Sequence, residues 1–379
     1  MTADRRTMLA GSAAALLTAA APVRQRRHEM MIINALGGLE NPNHWEEDRS
    51  GAGVGGITRE PLEPRVIADA RASGLNAINI TLGYVAGPME PFEYSVADIG
   101  AWDARVRLQS RDLMKVLTVA DILHARTEKR IGLIYGFQNA AMMGDEADRV
   151  DIFADLGIRV VQLTYNPANR LGDGSMAPEN RGLTPFGREV VERLNAKRLM
   201  VDLSHSGERT CLDAARVSKQ PISINHSGCR ALVDLPRNKS DEELRLVASR
   251  GGFVGIYFMP FLNRTSVAHA DDVVAHIDHA VNMCGEDHVG IGTDGGTTGI
   301  DDMAAYRAHI ARQVADRKKA GIGAAGENPD TLPFVADLQG PGQFRRLAGL
   351  LRRKGYSERR IEKIMGLNFL SFAREVWGA

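Results

Sequence analysis

The sequence has little cysteine, few aromatic residues and no excess of charge of either sign. Cysteine occurs three times in 379 residues, at Cys211, Cys229 and Cys284. No two of them stand at CxxC spacing, so a disulfide framework is excluded as the organising device, although one bridge stays open. Lys+Arg and Asp+Glu balance at 47 each. With no basic stripe interleaved with aromatics, that balance argues against nucleic acid as a partner. No apolar run is long enough to make a good membrane span. Internal repeats, low-complexity linkers and a GxGxxG opening a helix after the first strand are also missing, the last weakening a dinucleotide-binding reading. What remains is the composition of a globular enzyme, 44% hydrophobic and 25% charged. Its 39 glycines suit many sharp loops.

The first residues read as a targeting segment. Arg5 and Arg6 precede an uncharged, Ala-rich run that carries Leu16 and Leu17 and reaches about Ala21. Small residues from Thr18 to Ala21 offer cleavage positions. A basic start, a short apolar core and a small-residue exit make a signal peptide, and the arginine pair points to the Tat route. The expectation is a leader over residues 1–21 and export to the periplasm, with no stable membrane anchor; the alternative is an uncleaved amphipathic terminus. No cysteine stands directly after the leader, which argues against a lipid anchor.

Residues 29–379 read as one domain. Eight short apolar runs are expected as strands: Met31–Leu36, Ala77–Leu82, Gly132–Phe137, Val160–Tyr165, Leu199–Ser204, Ile222–His226, Phe253–Phe258 and Val289–Thr293. Nearly continuous apolar runs suit strands covered on both faces. Helical patterns lie between them, for example Pro64–Ala72, Asp145–Leu156, Phe186–Ala196, Asp241–Ala248 and Asp271–Met283. The stretch Gln343–Trp377 is amphipathic and is expected to close the domain as one or two helices. Eight β-then-α units read most simply as a (β/α)8 TIM barrel, with an open doubly wound sheet as the alternative.

Active sites in such barrels lie at the C-terminal ends of the strands. The third strand ends in Gln138 and the fourth in Tyr165-Asn166. The fifth ends in His205, the sixth in His226 and the eighth in Asp294. Taken singly, a strand-end histidine is more often a hydrogen-bonded structural residue. Jointly, two imidazoles and a carboxylate are ligands that zinc, iron or manganese accept. A metal there would polarise a carbonyl and acidify a bound water.

With these residues in view, the chain resembles the membrane (renal) dipeptidase family, peptidase family M19. The resemblance rests on Asp155-Leu156-Gly157-Ile158-Arg159, Leu163-Thr164-Tyr165-Asn166 and Gly182-Leu183-Thr184-Pro185-Phe186-Gly187. It continues through Asp202-Leu203-Ser204-His205, His226-Ser227, Arg237-Asn238 and Gly290-Ile291-Gly292-Thr293-Asp294. It implies a metal-dependent hydrolase of dipeptides or related small amides, of the metal-dependent hydrolase barrel type. By resemblance, His205 and His226 bind metal, and Asp294 binds metal or holds the catalytic water and the substrate amino group. Arg237 grips the substrate carboxylate, with Asn238, Asn166 and Gln138 beside the substrate. Members often form dimers, so a homodimer is an option.

Three positions depart from the family pattern. The His-x-Asp pair that ends the first strand is replaced by Asn34-Ala35-Leu36-Gly37-Gly38. A bridging glutamate becomes Gln138, and a histidine that polarises the carbonyl becomes Tyr165. Two close divalent cations need several anionic ligands. The expectation is therefore one divalent metal per chain, zinc or another, on His205, His226 and Asp294, with Asp294 and Tyr165 as catalytic groups. The loop from Asn43 to Asp48 could bring substitute ligands, although a solvated acidic loop is the simpler reading. A non-hydrolytic relative that binds a peptide-derived ligand, or assists its maturation, is the alternative function.

Overall fold

The computed structural model describes residues 30–44 and 57–378. The expected leader and Trp45 to Asp48 of the acidic loop lie outside the described residues.

A single parallel sheet forms the frame. Its strands are β1 (Ile32–Gly37), β2 (Leu75–Leu82), β3 (Leu113–Val116), β4 (Ile131–Phe137), β5 (Val160–Gln162), β6 (Met200–Asp202), β7 (Ser223–Ser227), β8 (Phe253–Ile256) and β9 (Val289–Ile291). The order is β1-β2-β4-β5-β6-β7-β8-β9, all parallel, while β3 pairs with β4 below its junction with β5. The eight strands of the main path are the eight expected from the sequence, and they make a nearly closed barrel. Four hydrogen bonds join its two edges. The Asp294 amide donates to the Leu36 carbonyl at 2.9 Å, and the Gly38 amide to the Gly295 carbonyl at 3.3 Å. The Asn34 side chain accepts from the Thr293 amide and donates to Thr293 Oγ1, both at 2.8 Å.

The strand starts agree with expectation, but several ends come early. β5 stops at Gln162 rather than Tyr165, and β6 at Asp202 rather than Ser204. Side chains take over from the ladder there. Asp202 Oδ1 accepts from the amides of Ser204 (3.0 Å) and Asn225 (2.9 Å), tying β6 to β7 where one ladder pair remains. The backbone beyond it is free to aim His205 at the mouth.

Helices cover the outside. They include α1 (Pro64–Ser73), α2 (Pro91–Leu108), α3 (Val119–Thr127), α4 (Arg149–Asp155), α5 (Pro185–Ala196), α6 (Glu208–Val217), α7 (Asp241–Ser249), α8 (Ala270–Cys284) and α9 (Met303–Lys319). Proline opens α1, α2 and α5, where its missing N–H has no helical partner to lose. Capping boxes pair Thr118 with Asp121 and Ser240 with Glu243. The helix expected from Asp145 begins four residues later, at Arg149. A 3-10 turn over Ala141–Met143 and the left-handed Gly144 carry the chain away first, and Arg149 donates back to the Met142 carbonyl.

The amphipathic end of the chain forms α10 (Gln343–Arg353), α11 (Glu358–Glu362) and α12 (Asn368–Trp377). Phe369 and Phe372 of α12 meet Phe253 of β8 with ring centroids 5.3 and 5.9 Å apart. They belong to a buried cluster with Ile33, Val160 and Met200 from the strands. The backbone at Gly366 passes so close that a Cβ there would lie 2.7 Å from the Met31 carbonyl oxygen. This apolar plug seals the end where the strands begin, so the polar groups are left to the other end.

Candidate active site at the barrel mouth

His205 and His226 meet where β6 and β7 end. Their ring centroids are 5.0 Å apart with planes tilted by 56°. His205 is 4% exposed and His226 is fully buried. Tyr165 stacks on the far face of His205, at 4.2 Å and 22°. Burial, and then the nearby Arg237 charge, drives both imidazoles well below their ordinary pKa, so both are neutral.

The tautomer of His205 follows from its neighbours. Asn166 donates through Nδ2 to the Ile322 carbonyl at 2.8 Å, which turns its Oδ1 toward His205 Nδ1 at 2.7 Å. Nδ1 therefore carries the hydrogen, and the lone pair lies on Nε2. That Nε2 has no hydrogen-bond partner, nor does either ring nitrogen of His226. Three buried, unpartnered imidazole nitrogens on two adjoining rings are costly unless something accepts them. This donor set fits a divalent metal, with Asn166 orienting one ligand from behind. Among the described residues, however, no group of three or more His, Cys, Asp or Glu side chains is gathered around one point. The two histidines are assembled, and the carboxylates stand off.

Asp294 follows β9 with a left-handed backbone (φ 57), held by the amide bond to Leu36 that closes the barrel. A non-glycine residue there stores strain, a common feature of functional positions. Burial pushes its carboxyl up to about 6, although Arg237 and Arg317 pull the other way. Glu40 stands nearby, just past β1. Crowding by the walls, then the Asp294 charge, raises it to about 7. Its side chain nonetheless reaches solvent through the open cavity, so water softens that shift.

Arg237 is 2% exposed, donates to the Ser204 carbonyl and lies 5.8 Å over the Tyr257 ring. No carboxylate among the described residues pairs with it, which leaves a buried guanidinium free to receive one. Asn238 has another task. Its Nδ2 donates to the carbonyls of Val233 (2.8 Å) and Phe261 (3.0 Å), and its Oδ1 accepts from Tyr257 (2.6 Å). The amide is buried and fully engaged, and it does not line the cavity that Arg237 lines. Asn166 does line it, but its amide is committed to His205 and Ile322. Gln138 also lines it and is held by Thr81 at 2.6 Å.

Two cavities meet at Asp294. One, of about 200 Å³, holds His205, Tyr165, Gln138 and Arg237. The other, of about 170 Å³, holds Glu40. The first is roofed by α9, whose Arg317 donates to the Tyr165 hydroxyl (3.2 Å) and pairs with Glu327 (3.0 Å). Arg317, Glu327 and Glu40 escape sequence reasoning. Arg317 stands in the run Arg317-Lys318-Lys319, which reads as a solvated helix end, and Glu40 sits in a loop. His44 does not join the site: it is exposed and bonded to Glu63 at 2.9 Å.

The comparisons with known proteins point to one family. A sequence model of the membrane dipeptidase family, peptidase family M19, matches residues 90–320. A Klebsiella pneumoniae protein from the pqqA 5' region is 29% identical over 272 residues, 69% of this chain and 88% of its own length. The dipeptidase tcpJ of Claviceps purpurea is 28% identical over 260 residues, 68% of this chain; the chain spans 53% of that relative's length. A solved amidohydrolase from Pseudomonas aeruginosa is 31% identical, with a TM-score of 0.75 over 93% of this chain and 98% of its own.

Proposed function

The chain belongs to the membrane dipeptidase family, peptidase family M19, and from that premise we propose that it hydrolyses dipeptides or related small amides with one divalent metal per chain. The family implies the metal and the hydrolase class. The observation that carries the finer reading is the pair of neutral histidines with bare ring nitrogens, beside a buried arginine that has no carboxylate partner among the described residues.

His205 Nε2 and a ring nitrogen of His226 would hold the metal, with Asp294 as the carboxylate that shares the cavity wall with His205. When bound, a divalent metal there supplies Lewis acidity toward the substrate carbonyl and lowers the pKa of water. The protein's own groups do the rest. Arg237 receives the substrate carboxylate and sets its orientation. Asp294, with a carboxyl raised toward neutrality, takes the proton of the attacking water. Tyr165 can donate its hydroxyl hydrogen to the developing oxyanion while Arg317 holds the phenol in place.

Export through the Tat route to the periplasm is part of the proposal and rests on the arginine pair and apolar run of the first residues. A folded chain with its metal in place is the cargo that route carries. A second reading, a non-hydrolytic binder of a peptide-derived ligand, is favoured by the lack of a gathered three-ligand set among the described residues. Metal content per chain, paired with dipeptide hydrolysis, separates the two. About one equivalent of metal with turnover supports the single-metal hydrolase. No metal and no turnover supports the binder, and two equivalents refute the single-metal count.

A further inference from the structure

The two cavities that meet at Asp294 differ in their charged groups. The Tyr165 side carries Arg237 and Arg317 beside the carboxylates of Glu327 and the shared Asp294. The Glu40 side has no Lys, Arg or His in its wall. Its polar groups include the carboxylates of Glu40 and Asp294, and its apolar wall is built from the rings of Phe258, Tyr306 and Phe334. No cation pairs with Glu40 or with Asp294 among the described residues. A carboxylate beside aromatic faces, with no competing cation, is the chemistry that receives an organic ammonium.

The backbone makes room for that carboxylate. A Cβ on Gly38 would lie 1.9 Å from Glu40 Oε2, so the carboxyl group fills the space a side chain at residue 38 would take. A Cβ on Gly296 would lie 3.1 Å from Glu40 Oε1, so the opposite wall also approaches closely. Residue 38 lies in the stretch where the family's first-strand metal ligands are absent. Glu40 thus returns a carboxylate to this wall of the mouth from a different position in the chain. A metal cage is not what results, since fewer than three ligating side chains gather there among the described residues.

We propose that Glu40 and the aromatic wall beside it bind a primary ammonium group, so that the substrate spans the mouth with its amino end at Glu40 and its carboxylate end at Arg237. Asp294, on the wall shared by both cavities, then faces the amide between them. The ammonium site stands on the geometry around Glu40, while the span to Arg237 and the kinetic test rest on the hydrolase reading. The ammonium is either the α-amino group of the first residue or the end of a lysine-like side chain on it.

The experiment uses the full chain and the Glu40→Gln variant, checked for equal metal content and an unchanged melting temperature. Binding of n-butylammonium is followed by ligand-observed NMR, and kinetics by hydrolysis of Ala-Ala, N-acetyl-Ala-Ala, Lys-Ala and N-acetyl-Lys-Ala. The expected result is loss of n-butylammonium binding in the variant and a rise in KM of about tenfold, with kcat changed by less than about threefold, for Ala-Ala if the α-amino group sits at Glu40 and for Lys-Ala if the side chain does. Poor hydrolysis of N-acetyl-Ala-Ala by the unaltered protein identifies the α-amino group as the source. Retained hydrolysis of N-acetyl-Lys-Ala that is lost in Glu40→Gln identifies the side chain. If no dipeptide is turned over but n-butylammonium still binds in a Glu40-dependent way, the hydrolase reading fails and this one stands. Equal binding and equal KM in both proteins overturn it. So does a fall in metal content in Glu40→Gln, which would make Glu40 a metal ligand.

Discussion

Asn166 Oδ1 and His205 Nδ1 lie 2.7 Å apart, and this contact decides which nitrogen of His205 is offered to the cavity. Without it the ring could turn, or carry its hydrogen on Nε2, and its lone pair would be lost to a metal. Asn166→Ala is therefore expected to weaken metal binding by about 10- to 100-fold, the usual effect of losing such an outer partner. Competition with a chelator measures it. Asn166→Asp keeps an acceptor at that place and should restore most of the affinity. Equal affinity in Asn166→Ala would show that His205 is not oriented this way.

Arg237 is a buried guanidinium with a carbonyl partner and an aromatic face beside it. Lysine keeps the charge but not the fork, so Arg237→Lys should raise KM for dipeptides with a free carboxylate by about tenfold. The same dipeptides ending in a carboxamide should show nearly equal KM in the two proteins. A uniform loss for both kinds of substrate would mean that Arg237 braces the fold instead of gripping the substrate.

His276 links the loop after β7 to the wall of the mouth. Its Nδ1 accepts from the Cys229 amide at 2.9 Å, and its Nε2 donates to the Leu262 carbonyl at 3.1 Å. Burial lowers its pKa to about 4, against an ordinary 6.5. The unfolded chain therefore binds a proton first as pH falls. The contribution of neutral His276 to stability is whole above 6.5 and is lost progressively between 6.5 and about 4. The loss amounts to about 3 kcal/mol. Chemical denaturation across that window should show the slope, and His276→Gln should flatten it. An unchanged slope in the variant would assign the effect elsewhere.

Asn34 closes the barrel through its two bonds to Thr293. Its side chain is fully buried, so Asn34→Ala removes both bonds and leaves the Thr293 amide without that acceptor. A destabilisation of about 2–3 kcal/mol is expected, read as a lower denaturant midpoint with an unchanged slope. A shift within error would mean that the backbone bonds from Gly38 and Asp294 suffice to hold the edges together.

The barrel itself was legible in the chain. Eight Val- and Ile-rich runs, separated by helical stretches, require a parallel sheet covered on both sides, and each run became a strand. The strand β3 was not legible, because four residues carry too little periodicity to stand out. Helix α9 was not among the helices named from the sequence, and nothing local says that it roofs the mouth and sets Arg317 against Tyr165. Asn238 illustrates the opposite error. It stands next to Arg237 in the chain, yet one side chain enters the cavity and the other braces Tyr257, because backbone direction and not adjacency decides where a side chain points.

By itself, the order of amino acids determined the fold class and the family, and it named His205, His226, Asp294 and Arg237 as candidates. The fold class follows from periodicity and the three candidate ligands from residue types at strand ends, which are local properties, while the family and Arg237 come from the resemblance carried by its motifs. Tertiary structure alone decided that Glu40 turns back into the space beside Gly38, that Asn166 stands behind His205, and that two cavities, one with cations in its wall and one without, meet at Asp294. Each of these depends on which segments the closing barrel brings within a few ångströms, and distance along the chain does not encode that.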